Sequence, residues 1–211
     1  LVGSEMCIRD SQYLDRPDMP FAEDRLLPSL MVFCSQLDLK HIGKPKKNFW
    51  FSRGDTPVFI YRGGWDSKED TYLGVKGGSP STSHAHMDAG SFVYDAYGVR
   101  WSMDFGLQSY TTLESVLAGL GGNLWDMGQN SMRWDVFRLN NLNHSTISIN
   151  DARHRVNGAA TLTTTINTAT ELGATFDLTE VVSDQAASAT RTVKIVNAKD
   201  SVSYTHLRAH E

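Results

Sequence analysis

Cysteine is almost missing from this 211-residue chain, which holds Cys7 and Cys34. So few thiols exclude a disulfide framework. There is no block of basic residues either. The formal net charge is −4, a mild acidity that argues against nucleic acid as a partner. No apolar run is long enough to cross a membrane, no internal repeat is visible, and no long helical period appears. What remains is abundant Thr, Val and Ile in short runs, the signature of an all-β chain.

The two ends need a separate reading. Leu1 to Ser11 and Val202 to Glu211 look unrelated, yet one piece of DNA encodes both, read forward for the first and as its reverse complement for the second. The DNA resembles a transposase-type sequencing adapter. Residues 1–11 and 201–211 are therefore expected to be adapter-derived and not native, and they are set aside from fold reasoning as a tag would be. On that reading Cys7, His206 and His210 drop out of any chemistry. The insert is then a piece of a longer protein, and the lack of a leader or anchor leaves its compartment open.

Between the ends the chain changes character once. Pro28 suits the first position of a helix, and Leu30, Phe33, Cys34 and Leu37 follow at helical spacing, predicting a short amphipathic helix over 28–37. Lys44-Pro45-Lys46-Lys47-Asn48 reads as a linker. Beyond it, strands are expected at Phe49 to Phe51, Val58 to Tyr61, Ser91 to Tyr94, Val99 to Asp104, Arg133 to Leu139, Ser145 to Ile149, Ala160 to Ile166 and Thr190 to Val196. Asp95-Ala96-Tyr97-Gly98 would close a hairpin. The stretch from Gly106 to Met132 is expected as a long functional loop. The fold class is mainly β, an antiparallel β-sandwich left incomplete, with an exposed sheet edge near Asp200.

Gly77 to Phe92 is the stretch with most chemistry. A Gly/Ser/Pro loop runs into His84-Ala85-His86. In extended chain two such imidazoles fall on one face, which suits a metal site or a proton-transfer site. Asp104 and His144 could join them on a transition metal such as zinc. Each has a plainer reading: Asp104 as a turn carboxylate before Gly106, His144 as a strand-end histidine bonded to a carbonyl. His41 and His154, among polar neighbours, are expected in solvent. Arg133 and Arg138 could hold a carboxylate or sulfate, but five residues apart on a strand they face opposite ways. Trp125 and Trp134 could stack on sugars or pack in a core.

Taken in order, Gly77 to Phe92, Gly98-Val99-Arg100-Trp101 with Asp104-Phe105-Gly106, Arg133 to Arg138, and Asn141-Leu142-Asn143-His144-Ser145-Thr146 resemble the C-terminal region of heparinase II/III-like polysaccharide lyases. The resemblance runs from about Pro20 to Asp200. It implies that residues 12–47 are the end of an (α/α) toroid and its linker, and 48–200 a β-sandwich domain, C-terminally truncated. It implies β-elimination on a uronic-acid polysaccharide, a heparan-type glycosaminoglycan or an alginate-like polymer, by a bacterial periplasmic or secreted protein. By position it puts a zinc of structural role on His86, Asp104 and His144, and His84 at the substrate cleft as a catalytic group. Tyr110 joins it as a candidate catalytic residue, with Arg133, Arg138 and Trp125 along the cleft. The chain departs from the family at Ser145, where an Asn is common. The expected partner is an acidic polysaccharide, with neither nucleic acid nor membrane, and homo-oligomer formation is left open.

Two other classes compete. A non-catalytic carbohydrate-binding sandwich with a structural zinc would suit the piece in isolation. Gly78 followed by His84-x-His86 also opens like a cupin metal motif, but Met87-Asp88-Ala89-Gly90-Ser91 lacks the Glu that motif needs.

Overall fold

The computed structural model describes Cys34, residues 43–197 and the backbone of a strand at Asp200–Arg208. The helix expected over 28–37 and His41 lie outside the described residues, apart from Cys34, which is helical and exposed. The chain divides into two compact units between Lys44 and Pro45, and the strands belong to the second.

Two antiparallel sheets form that unit. The first runs β1 (Phe49–Ser52), β2 (Val58–Arg62), β3 (Tyr72–Lys76), β4 (Phe92–Ala96) and β5 (Val99–Ser102), neighbours in sequence being neighbours in the sheet. The second runs β6 (Thr161–Asn167), β7 (Glu171–Asp177), β8 (Ser188–Val196) and β9 (Asp200–Arg208) in the same meander. Burial alternates strictly along β2, β3 and β8, the period-two pattern of a strand with one face in a core. Phe59, Tyr61, Leu73 and Val75 from the first sheet meet Leu162, Ala174, Phe176, Ala189, Val193 and Ile195 from the second. This is a β-sandwich, as the sequence leads one to expect.

Several local expectations hold and several do not. The hairpin at Tyr97-Gly98 is real. Both residues have positive φ, 56° and 73°, the backbone hand that matches strand twist in a two-residue turn. Asp95 and Arg100 flank it in a bidentate pair at 2.6 and 2.7 Å. Strands β3 and β7 lie outside the expected set, because Gly74 and Gly173 interrupt their apolar runs. The edge expected at Asp200 is covered instead. β9 pairs with β8 from Ser188↔Arg208 to Val196↔Asp200, over residues expected to be adapter-derived, and among the described residues the sheet ends at β9.

The largest corrections fall between β5 and β6. Residues 106–132 are not a bare loop but carry a ten-residue helix, α1 (Tyr110–Gly119), which buries Leu113 and Leu117. Arg133 to Leu139 is not a strand. The Ser131 hydroxyl accepts the Arg133 N–H at 3.0 Å and turns Met132–Asp135 into a single 3-10 turn. Ser145 to Ile149 is not a strand either. Upstream of it, the Asn140 side chain caps a second 3-10 turn at Asn141–Asn143 by accepting the Leu142 N–H at 3.0 Å. This excursion has its own core of Met87, Leu113, Leu117, Leu124, Trp134, Leu139 and Val156. Among the described residues no helix is long and apolar enough to cross a membrane.

Gly77-Gly78 joins the two sheets. Gly78 exchanges both backbone hydrogen bonds with Ala160 at 2.9 Å, just before β6. A Cβ on Gly77 would stand 2.6 Å from the Ala160 carbonyl oxygen and 2.8 Å from Pro57 Cγ. Gly77→Ala should therefore cost about 1–3 kcal/mol through overpacking. Gly119→Ala, with nothing within 4 Å of the new methyl, should be neutral or mildly stabilising. Urea unfolding of the two variants against the parent measures both, and equal stability of all three would contradict the account.

Candidate active site

The His-x-His pair sits on the approach from β3 to β4, anchored at both ends. Gly77 donates to the Pro57 carbonyl and Gly90 to the Lys76 carbonyl, both at 2.7 Å, while Met87 donates to Leu139 at 2.8 Å. The pair is not extended. His84 has φ 64°, in the left-handed region that a residue with a Cβ enters at a cost. The extended-chain argument for one shared face therefore fails here, and the two imidazoles find different neighbours.

His84 is exposed and meets two aromatic rings. Its centroid lies 5.5 Å from Tyr110 and 5.2 Å from Trp125, and Tyr110 and Trp125 are themselves 5.2 Å apart. Tyr110 is the first residue of α1, which follows Ser109 without a side-chain cap. Trp125 follows the Gly121-Gly122 turn and remains 42 % exposed. Its indole N–H donates to Glu114 Oε1 at 2.5 Å. Glu114 lies one helical turn beyond Tyr110, on the same face. Sequence reading misses Glu114 together with the helix. The signal is present in the spacing of Tyr110, Leu113 and Leu117, and the surrounding glycines and asparagines obscure it.

His86 turns inward toward His144, with ring centroids 5.4 Å apart. His144 Nδ1 is 2.5 Å from Asp104 Oδ2, and Asp104 Oδ1 accepts the Gly106 N–H at 2.8 Å. Asp104 is thus both the turn carboxylate and the partner of His144. Burial pushes the His86 pKa down to about 4, with Asp88 opposing and His144, Arg133 and Lys76 adding to the fall. Burial also presses on His144, but the hydrogen bond and charge of Asp104 outweigh it and the net shift is upward. For Asp104 burial acts upward, while His144 and the Gly106 N–H win and lower it. Ser145, the residue that departs from the family pattern, shares a hydroxyl contact of 2.9 Å with Ser102 on β5.

Two neutral imidazoles and a carboxylate are the donor set of a zinc-type ion. His144 Nε2 is buried without a hydrogen-bond partner, an orphaned atom of the kind a ligand would satisfy. The fit is one of chemistry and proximity. Among the described residues no group of three His, Cys, Asp or Glu side chains stands as a ready-made cage.

The other candidates divide. Arg133 is 0 % exposed, and its guanidinium donates to the carbonyls of Leu124 and Ala85, both at 2.8 Å. No sugar carboxylate can reach it, so the expectation of a substrate-binding arginine is corrected by burial. Arg138 is half-buried and donates to the carbonyls of Phe105 and Leu107 at 2.9 and 2.8 Å, holding the chain that follows β5. Trp134 is a core residue, its indole N–H on the Gly128 carbonyl at 2.8 Å. His154, expected in solvent, is fully buried. Its Nε2 lies 2.8 Å from the Ile147 carbonyl, its backbone N–H meets Asn141 Oδ1 at 3.1 Å, and burial lowers its pKa.

The second unit is thus an antiparallel β-sandwich that carries an imidazole–phenol–indole cluster and a His/Asp/His group. The C-terminal domain model of the heparinase II/III-like family matches residues 55–198, and the chain belongs to that family. No curated protein matches it. Among solved structures, it is similar to heparan sulfate lyase HepC from Pedobacter heparinus, with TM-score 0.58 and 16 % identity over 90 % of this chain and 28 % of that one. A mutant of the same lyase gives TM-score 0.57 and 16 % identity over 88 % and 27 %. The chain thus spans little more than a quarter of the length of these lyases, and the likeness shows the fold.

The pKa directions set the behaviour of the metal-free chain. His86 titrates at about 4 when folded against 6.5 ordinarily, so its contribution to stability is full above pH 6.5 and is lost as the pH falls toward 4. Asp104, lowered, acts in the same direction at more acid pH. His144, raised, acts oppositely, losing its contribution as the pH climbs through its folded pKa. His154, also lowered by burial, acts in the same direction, so thermal melts in chelator should show stability falling from pH 6.5 to 4, with His86→Gln removing part of that slope. An unchanged slope in the variant would contradict the assignment.

Proposed function

We propose that this chain supplies the sandwich side of the active centre of a polysaccharide lyase, acting on a uronic-acid-bearing glycan by β-elimination. The observation that carries the reading is the convergence of His84, Tyr110 and Trp125 from three separate segments, within a chain of the heparinase II/III-like family. A heparan-type glycosaminoglycan is the favoured substrate, because the similar solved structures are of a heparan sulfate lyase. An alginate-like polymer is the alternative.

The chemistry asks for a base, an acid and a counter-charge. A base takes the C5 proton beside the uronate carboxylate, the C–H electron pair becomes the C4=C5 double bond, and the C4–O4 bond breaks with a proton delivered to O4. His84 and Tyr110 are the base and acid on this side of the cleft, close enough to address the same sugar. Trp125 offers an exposed indole edge and face for ring stacking. The group that neutralises the carboxylate, and so stabilises the developing enolate-like charge, is assigned to the helical domain that the family resemblance implies.

His86, Asp104 and His144 would hold a zinc ion, and that ion would supply a structural cross-link between the His84 loop, the segment after β5 and the turn after Asn143. That cross-link would fix the loop from which His84 projects.

The test uses a longer polypeptide that contains this chain together with its helical domain. Incubation with heparan sulfate should generate the ultraviolet absorbance of an unsaturated uronate, and His84→Ala should lower the rate by about 10²–10⁴, the usual worth of general acid–base catalysis. Absorbance with alginate and not with heparan sulfate would move the substrate. Glycan binding without any new absorbance would replace the lyase reading by a carbohydrate-binding one.

A further inference from the structure

The indole of Trp125 is held from two sides, although 42 % of the residue stays exposed. After α1 the chain reverses at Gly121, whose φ is 80°, and the Gly122 N–H returns to the Leu117 carbonyl at 2.8 Å. Asn123 Oδ1 then accepts the Trp125 backbone N–H at 2.9 Å, and Glu114 Oε1, on α1, accepts the indole N–H at 2.5 Å. Fold stability does not explain the last bond. Water satisfies an exposed indole N–H as readily, and fixing a glutamate side chain costs rotamer freedom. What the bond does fix is the plane of the ring. Among the described residues Glu114 Oε2 takes part in no hydrogen bond. A free acceptor therefore stands at the edge of an exposed indole. The surroundings add negative charge. Residues 77–99 and 101–132, which supply His84, Tyr110 and Trp125, contain no lysine and no arginine. Asp126, next after the indole, is an exposed carboxylate. Arg133 bonds the Leu124 carbonyl on the other side, but it is 0 % exposed and meets no ligand.

We infer that Glu114 is a positioning and specificity-determining residue: it sets the plane of Trp125 and makes the place on that indole a subsite for an uncharged sugar with a hydrogen-bond donor at its edge, such as an N-acetylated hexosamine beside the reacting uronate. This role rests on reading the cluster as part of a glycan lyase's active centre. A pyranose stacked on an indole lays its C–H face on the ring and turns its hydroxyls and amide N–H outward. An ionised carboxylate only accepts hydrogen bonds, so it pairs with those donors. It gains nothing from a carboxylate or sulfate on the same sugar and repels the like charge. A polymer that alternates uronate with an uncharged hexosamine satisfies both demands. In a polymer of uronates alone, every ring that could sit on Trp125 brings a second negative charge to Glu114.

The test needs no turnover and uses the 211-residue chain, in which Trp125 is one of five tryptophans. The indole N–H signal missing from Trp125→Phe in a proton–nitrogen NMR spectrum is that of Trp125. In Glu114→Ala this signal should move upfield and exchange faster with water, while the other indole signals stay in place. An unmoved signal overturns the positioning half. Two probes test the subsite, a tetrasaccharide alternating glucuronate with N-acetylhexosamine and a tetrasaccharide of hexuronates only. The first should shift the Trp125 signal with an affinity about tenfold above that of the second, a preference that shrinks at high salt. Glu114→Gln keeps an acceptor but removes the charge, and it should bring the two affinities together. Equal binding of both probes to the parent, or a preference that survives in Glu114→Gln, overturns the specificity half. A Trp125 signal that neither probe moves overturns the subsite itself. Absence of elimination in the longer polypeptide would sink the lyase reading and leave these binding results as they are, so the two failures are told apart.

Discussion

Residues 103–160 add no strand to either sheet, and that single constraint shapes the functional end of the molecule. A segment of this length cannot lie on a sandwich as bare backbone, because its polar groups would go unpaired and its apolar side chains unburied. It therefore makes its own core from Leu113, Leu117, Leu124, Trp134, Leu139 and Val156, closed by Met87 from the His loop. Met87 stands one residue beyond His86 and bonds through its backbone to Leu139. The second core and the His loop are thus one packing unit. Anything that loosens the helix α1 also loosens the segment from which both imidazoles project.

Burial within that unit sorts the polar side chains into two environments. On its outer surface His84, Tyr110 and Trp125 keep access to solvent. On its inner side His86, His144 and Asp104 are drawn out of water, and their pKa values respond to one another as well as to burial. Arg133 touches the carbonyl of Ala85, the residue that separates the two histidines, and its charge is felt by His86. The outer cluster therefore depends on inner groups that a glycan never meets.

The sandwich is legible in the sequence because its strands are rich in β-branched residues, as in Thr161–Asn167, and several obey period two, as in Ser188–Val196. The hairpin at Tyr97-Gly98 is legible from turn chemistry. The excursion is not. Arg133-Trp134-Asp135-Val136-Phe137-Arg138-Leu139 alternates as a strand would, but Ser131 and Asn140 supply side-chain acceptors that compete with a sheet ladder and win locally. His154 reads as solvated from its charged neighbours, since sequence proximity to Arg153 and Arg155 says nothing about the carbonyl of Ile147 waiting in the interior. Arg133 misleads for the opposite reason. A guanidinium suits a sugar carboxylate and a backbone carbonyl equally well, and only burial distinguishes them.

The His-x-His motif shows how much a single backbone angle decides. In a strand, residues two apart share a face, and the pair would present two donors to one ion. With His84 in the left-handed region the chain turns between the imidazoles, so one ring meets Tyr110 and Trp125 and the other meets His144. The identity of the side chains is the same in both geometries, and so is their spacing. What differs is the set of contacts that compensates the strained angle. Here these are the Ala85 N–H on the Thr82 carbonyl at 2.9 Å and the Ala85 carbonyl on Arg133, which fix the residue between the two rings through both of its backbone polar groups. The separation of an outward imidazole from an inward one is therefore a property of Ala85's hydrogen bonds as much as of the histidines themselves.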